Sequence, residues 1–95
     1  MPSSRPFAVS RCVECGLSAW PPPAMCRRCG SLGFAPEPAP GGTLEQATES
    51  AGPDGPVTLG TVRTDAGPMV VARVADARPG AAVTLRVVDG AVEAT

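Results

Sequence analysis

The C-terminal half of the chain alternates apolar and polar residues with the two-residue period of a β-strand. The segments 69–76 and 83–90 show this alternation most clearly, as expected for strands with one buried face. The residues predicted to point inward are Val70, Ala72, Val74, Val83, Leu85 and Val87.

Three further strands are predicted in the same half, over 43–50, from Val57 onward, and over 91–95. Val57 and Leu59 have the opposite parity to Val62, and a bulge or sharp bend at Gly60 would reconcile the two sets. Turn sequences rich in Pro, Asp and Gly separate the strands at 53–56, 65–68, 78–80 and 89–90. Five short strands predict a small closed or nearly closed barrel of the OB-fold type.

The N-terminal part carries all four cysteines of the chain, spaced C-x2-C-x10-C-x2-C. A glycine directly follows each pair, which lets the backbone turn back toward the sulfur atoms. Four thiolates suit one tetrahedral zinc ion with no open position. The sequence therefore predicts one structural Zn2+, held by Cys12, Cys15, Cys26 and Cys29.

Two alternatives remain open for these cysteines. Iron at four thiolates would make a rubredoxin-like electron carrier, although rubredoxins carry several core aromatic residues and this chain has only two Phe and one Trp. Disulfides are the other alternative. The first residues show no apolar signal segment, which favours a reduced, cytoplasmic protein, and no apolar run is long enough to span a membrane.

Composition divides the chain into three segments: a zinc ribbon at 1–34, a Pro/Gly linker at 35–42 that is expected to be extended and semi-rigid, and a barrel at 43–95. The overall fold class is thus mostly β, with a rubredoxin-like zinc ribbon before a small five-stranded OB-fold barrel. The net charge is −1, with four arginines against one acid up to residue 34 and four arginines against eight acids after it.

Four residues near the cysteines are candidates for contact with a partner or with coenzyme A: Arg11, Trp20, Arg27 and Arg28. Trp20 is predicted either to pack beside the metal site or to form an exposed platform. Arg27 and Arg28 either offset the charge of a dianionic zinc–thiolate site or contact a phosphate. No catalytic set is visible, since the chain has no His and no Lys and its cysteines belong to the metal site.

The whole pattern resembles the family that joins a rubredoxin-like zinc ribbon to an acyl-CoA-associated OB-fold. The resemblance covers about residues 9–90. It is carried by Arg11, Cys12, Cys15, Gly16, Trp20, Pro21, Pro22, Cys26, Cys29, Gly30, Ser31, Gly42, Leu44, Thr48, Gly60, Gly80 and Val83. The order of ribbon, proline-rich spacer and barrel is more specific than the cysteine pairs alone.

This resemblance implies a non-catalytic accessory subunit, not an enzyme by itself. Such subunits assemble with thiolase-fold acyltransferases or with hydratases of acyl-CoA metabolism, where they scaffold the partner or line the path of the pantetheine arm. A nucleic-acid-binding module is the alternative, but the predicted barrel has no aromatic residue for stacking and is net acidic.

Overall fold

The chain is built from β-strands throughout the part that the structure describes. The computed structural model describes residues 4–75 and 78–95, and none of these residues lies in a helix, so no helix among them is suited to crossing a membrane. The strands in these ranges are β1 (Ser4–Pro6), β2 (Ala8–Cys12), β3 (Ser18–Ala19), β4 (Phe34–Pro38), β5 (Gly41–Gly52), β6 (Gly55–Thr64), β7 (Met69–Val74), β8 (Ala82–Val88) and β9 (Ala91–Ala94). Asp76, the last residue of one predicted strand, and residues 1–3 lie outside the described residues.

Strands β2, β3 and β4 form a three-stranded sheet that carries the cysteine loops. Strand β2 is central and pairs antiparallel with both neighbours. Strand β4 contains Pro36 and Pro38, which lack a backbone N–H and are therefore tolerated in an edge strand. The first residues of the predicted linker thus form the edge of this sheet.

Five of the six remaining strands close into a barrel in the order β5-β6-β7-β9-β8. Strands β5 and β8 pair at Gly41–Thr43, which completes the circle. Strands β7 and β9 are parallel, and the other pairs in the barrel are antiparallel. Strand β1 pairs with residues 86–88 of β8, whereas β5 pairs with residues 82–84 of the same strand. This arrangement confirms the predicted fold class of a mostly β protein with a ribbon before an OB-fold barrel.

One hydrophobic core joins the two sheets. Phe7, Val9 and Ala39, from the N-terminal segment, belong to the same buried cluster as Leu44 and Leu85 of the barrel. Backbone hydrogen bonds fix the connection, because Ala39 N donates to Phe7 O and Leu85 N donates to Pro40 O at 3.0 and 2.7 Å. The ribbon and the barrel are therefore held in a defined orientation.

The predicted inward residues of β7 and β8 are confirmed. Val70, Ala72 and Val74 are all buried, as are Val83 and Leu85, while Val87 is half-buried and packs against the core. These β-branched and aliphatic residues occupy the inner face of a pleated strand, where their side chains pack well.

The predicted irregularity at Gly60 is wrong in its position. Gly60 and Val62 are both buried and share one parity within an unbroken β6, whereas the register shift lies on β5, between Leu44 and Gln46. The extra residue is Glu45. Its carboxylate accepts a hydrogen bond from Arg63 Nε at 2.7 Å, and this ion pair lowers the pKa of Glu45.

Candidate metal centre and adjoining cleft

The two cysteine loops have the same backbone hydrogen bonds. In the first, Cys12 N donates to Leu17 O and Gly16 N donates to Cys12 O; in the second, Cys26 N donates to Ser31 O and Gly30 N to Cys26 O. Gly16 and Gly30 both have φ of 79°, in the left-handed region that glycine adopts without strain. The glycines that follow the cysteine pairs therefore make the return turn that the sequence predicted.

The loops bring all four sulfur atoms together. The Sγ atoms lie within 4.8 Å of one another, and the distances Cys12–Cys29 and Cys15–Cys26 are 3.5 and 3.6 Å. These separations are far longer than the ~2.05 Å of a disulfide. Four sulfurs at ~2.3 Å from one tetrahedral zinc would lie roughly 3.8 Å apart. The cluster is therefore suited to binding a single metal ion.

The thiols influence one another's protonation. Backbone hydrogen bonding, first from Cys15, lowers the pKa of Cys12 to about 6. A backbone hydrogen bond at Ser31 favours the Cys29 thiolate, but burial and the neighbouring thiols outweigh it and raise the pKa of Cys29 to about 12. Because like charges at this spacing oppose one another, a bound cation is what allows four thiolates to coexist.

Arg28 lies against this cluster. Its Nη2 atom donates to Cys15 O at 3.0 Å. The pKa of the Cys15 thiol is lowered, first by the backbone at Leu17 and then by Arg28. Of the two roles predicted for Arg28, this contact favours compensation of thiolate charge.

Trp20 packs at the junction between the ribbon and the barrel. It is half-buried against the common core, and its ring meets Phe7 edge-on with the centroids 4.9 Å apart. The predicted alternative of an exposed platform therefore does not hold for the whole indole ring. Its remaining surface faces a cleft.

The junction cleft, as we call it, lies between the cysteine loops and the β6–β7 turn. It has a volume of about 350 Å3. Its walls come from both parts of the molecule: Trp20, Arg27 and Phe34 from the ribbon, and Pro68 and Met69 from the barrel. The cleft is thus mainly apolar, with one guanidinium among its lining groups.

The four predicted contact residues divide among separate places. Trp20 and Arg27 line the junction cleft, and Arg27 and Arg28 line a shallower depression beside it, against Gly67 of the β6–β7 turn. Arg11 lines neither; it is exposed on β2, paired with Ser18 and Ala35. Their role in contacting a partner or coenzyme A stays a prediction.

Sequence reasoning missed the barrel side of the cleft. Pro68 was recognised only as part of a turn, and Met69 only as the start of a strand. No local pattern places that turn against the ribbon, because the approach depends on how the shared core orients the two sheets. Pro68 itself was the sequence signal for a rigid turn at this place, because a proline after Gly67 restricts the backbone of the turn.

The fold and the cysteine cluster define a two-part β protein, with a four-cysteine ribbon packed on an OB-fold barrel. No family model matches the sequence, and no curated protein matches it. Among solved structures, a chain of the Ltp2-ChsH2(DUF35) aldolase is similar, with a TM-score of 0.73 and 22% sequence identity. The alignment covers 84% of this chain and 72% of that chain. At this identity the likeness establishes the shared fold.

Proposed function

We propose that this protein is a non-catalytic, zinc-containing accessory subunit of a hetero-oligomeric enzyme of acyl-CoA metabolism. The observation that carries the proposal is the likeness of fold to a chain of the Ltp2-ChsH2(DUF35) aldolase over 84% of this chain, combined with the four-cysteine cluster. The sequence resemblance to the ribbon and OB-fold family points the same way. It further suggests a partner of the thiolase-fold or hydratase type. The four reduced cysteines favour a cytoplasmic location.

Zinc is the metal that we assign to the cluster. Cys12, Cys15, Cys26 and Cys29 would hold it, and four cysteine ligands close its coordination sphere to water and substrate. Such an ion contributes to folding and does no chemistry. The ribbon has few large buried side chains of its own, so the metal replaces a core that the segment is too short to form.

The junction cleft supports a role in acyl-CoA association. Trp20, Phe34 and Met69 offer an apolar surface, and Arg27 supplies a positive charge beside it. That combination suits a ligand with an apolar portion and a phosphate, as in the acyl chain and phosphopantetheine arm of an acyl-CoA. In the complex, the cleft would cover one side of that arm while the partner enzyme supplies the catalytic groups.

Replacing Arg27 by glutamine in the complete enzyme complex tests this role of the cleft. We expect the KM for the acyl-CoA substrate to rise about tenfold with little change in kcat, because a hydrogen bond between charged groups contributes ~1.5 kcal/mol at an exposed position such as that of Arg27. Steady-state kinetics with the isolated complex measure both constants. Arg73→Gln is the matched control, since Arg73 is an exposed arginine of β7 that lines neither the cleft nor the depression beside it.

Equal kinetic constants for Arg27→Gln and wild-type complexes would remove the cleft from substrate binding. Equal losses in Arg27→Gln and Arg73→Gln would instead indicate a general effect of lost positive charge. Neither result would bear on whether the chain is an accessory subunit.

A further inference from the structure

The far half of the β5–β6 hairpin extends past the barrel. Strand β7 pairs with β6 only as far as Leu59, and β8 pairs with β5 only from Gly41 to Thr43. Residues 45–51 of β5 are all exposed. The hairpin beyond these points is therefore a two-stranded ribbon with no neighbouring strand among the described residues.

Proline identifies which backbone groups of β5 face outward. Pro56 has no N–H and lies opposite Ala51, so this is a pair that does not exchange hydrogen bonds. In an antiparallel ladder such pairs alternate with hydrogen-bonded ones. The N–H and C=O groups of Ala47, Glu49 and Ala51 therefore point away from β6.

Among the described residues, nothing occupies this edge of β5. The last backbone contacts on that side are made by Leu44, whose N–H donates to Ala81 O and whose C=O accepts from Gly80 N. Beyond Leu44, Ala47, Glu49 and Ala51 present three donors and three acceptors in a row. The spacing of these groups is that of a strand, so their natural complement is the backbone of another extended segment.

The two edges of the hairpin differ in their protection. On β6, Pro56 removes an N–H that would face outward, which blocks pairing on that side. On β5, the segment beyond the Glu45 bulge, 46–52, contains no proline, so the outward N–H groups of Ala47, Glu49 and Ala51 are all retained. Natural sheets usually block an exposed edge, so the open edge of β5 stands out against the blocked edge of β6.

The charge of the hairpin indicates the occupant. The hairpin carries three acidic residues, Glu45, Glu49 and Asp54. The one arginine in the sequence of β5 and β6, Arg63, is paired with Glu45. Side chains flanking the edge are small at Ala47 and Ala51, which leaves room for larger side chains of an incoming strand. A second copy of this chain would bring two acidic hairpins together, whereas a basic segment is complementary to them.

We propose that the open edge of β5, from Glu45 to Gly52, binds an extended basic segment of the partner enzyme as an added β-strand. The inference rests on the proposed function, because it names how the accessory subunit contacts its enzyme. The backbone groups of Ala47, Glu49 and Ala51 provide the hydrogen bonds, and the Glu49 carboxylate selects lysine or arginine in the bound segment.

The test compares variants of the tagged full-length chain that is co-expressed with the enzyme it retains in its own host. Ala47→Pro removes one outward N–H without taking a hydrogen bond from the β5–β6 ladder, and Ala47→Ser keeps that N–H. We expect Ala47→Pro to weaken retention of the enzyme about tenfold or more, equivalent to ~1.4 kcal/mol, and Ala47→Ser to change it less than twofold.

A charge reversal provides a second variant that keeps the whole backbone. Glu49→Arg is expected to weaken retention about fivefold, and the matched reversal Glu14→Arg, on the exposed ribbon surface, to leave it unchanged. Thermal melts of each free variant establish that the barrel is intact.

Three results would overturn the inference. Full retention by both folded variants, Ala47→Pro and Glu49→Arg, would exclude the β5 edge while leaving the accessory function in place. A wild-type homodimer that Ala47→Pro dissociates would assign the edge to self-association. If wild-type protein retains no enzyme at all, the proposed function itself fails, and the inference fails with it.

Discussion

Cys26→Ser is expected to abolish metal binding and to disorder the ribbon. Cys26 is 2% exposed, and its sulfur lies 3.6 Å from that of Cys15. A structural zinc site of this kind provides ~10–16 kcal/mol of apparent binding free energy at neutral pH, most of which appears as folding free energy. Because Phe7 and Val9 of the N-terminal segment share the barrel core, loss of the ribbon also destabilises the barrel.

We expect the free energy of unfolding to fall by at least about 3 kcal/mol, or Tm by ~12 °C or more for a chain of this size. Metal analysis of the purified variant and thermal unfolding followed by circular dichroism measure the two effects. Ala24→Ser is the control, since Ala24 is an exposed residue of the same loop. One equivalent of zinc in Cys26→Ser, with an unchanged Tm, would contradict the assignment of the ligands.

Gly60→Val is expected to disrupt the barrel core. A Cβ atom at Gly60 would lie 2.5 Å from Leu44 Cδ1, 2.6 Å from Val74 Cγ2 and 3.0 Å from Gln46 O. Leu44 is fully buried and Val74 nearly so, which leaves neither side chain space to withdraw. Overpacking of this kind costs ~1–3 kcal/mol, and more where the backbone must also move.

Urea unfolding measures this cost as a lower transition midpoint with an unchanged slope. Ala82→Val is the control, because it places the same β-branched side chain at an exposed position of β8. A midpoint for Gly60→Val equal to that of wild type would show that the core accommodates the extra methyl groups.

The sequence predicted the parts of the fold that depend on local pattern. Alternation of apolar residues identified the buried face of β7, and the spacing of the cysteines with their glycines identified the loops that bring four sulfurs together. These features are local because a strand's side chains alternate with a period of two and a cysteine loop closes within a few residues.

Features that depend on a neighbouring strand were not predictable in the same way. The opposite parity of Val57 and Leu59 to Val62 does not reflect a break in β6, because β6 is continuous and Val57 and Leu59 lie half-buried on its other face. The bulge lies on β5 at Glu45, and it depends on the pairing of the two strands, which the sequence of β6 does not show. The junction cleft was missed since Trp20 and Met69 meet only after the two sheets share a core. The open edge of β5 likewise exists only because β8 begins at Ala82, opposite Thr43, and the backbone contacts on that side of β5 end at Leu44.

The proposed role as a zinc-containing subunit of an enzyme complex is tested by native mass spectrometry of the tagged chain, isolated from its own host under gentle conditions. We expect a complex whose mass equals this chain with one zinc ion plus stoichiometric copies of an acyl-CoA enzyme. A mass of the isolated chain alone, or a complex with nucleic acid, would contradict it.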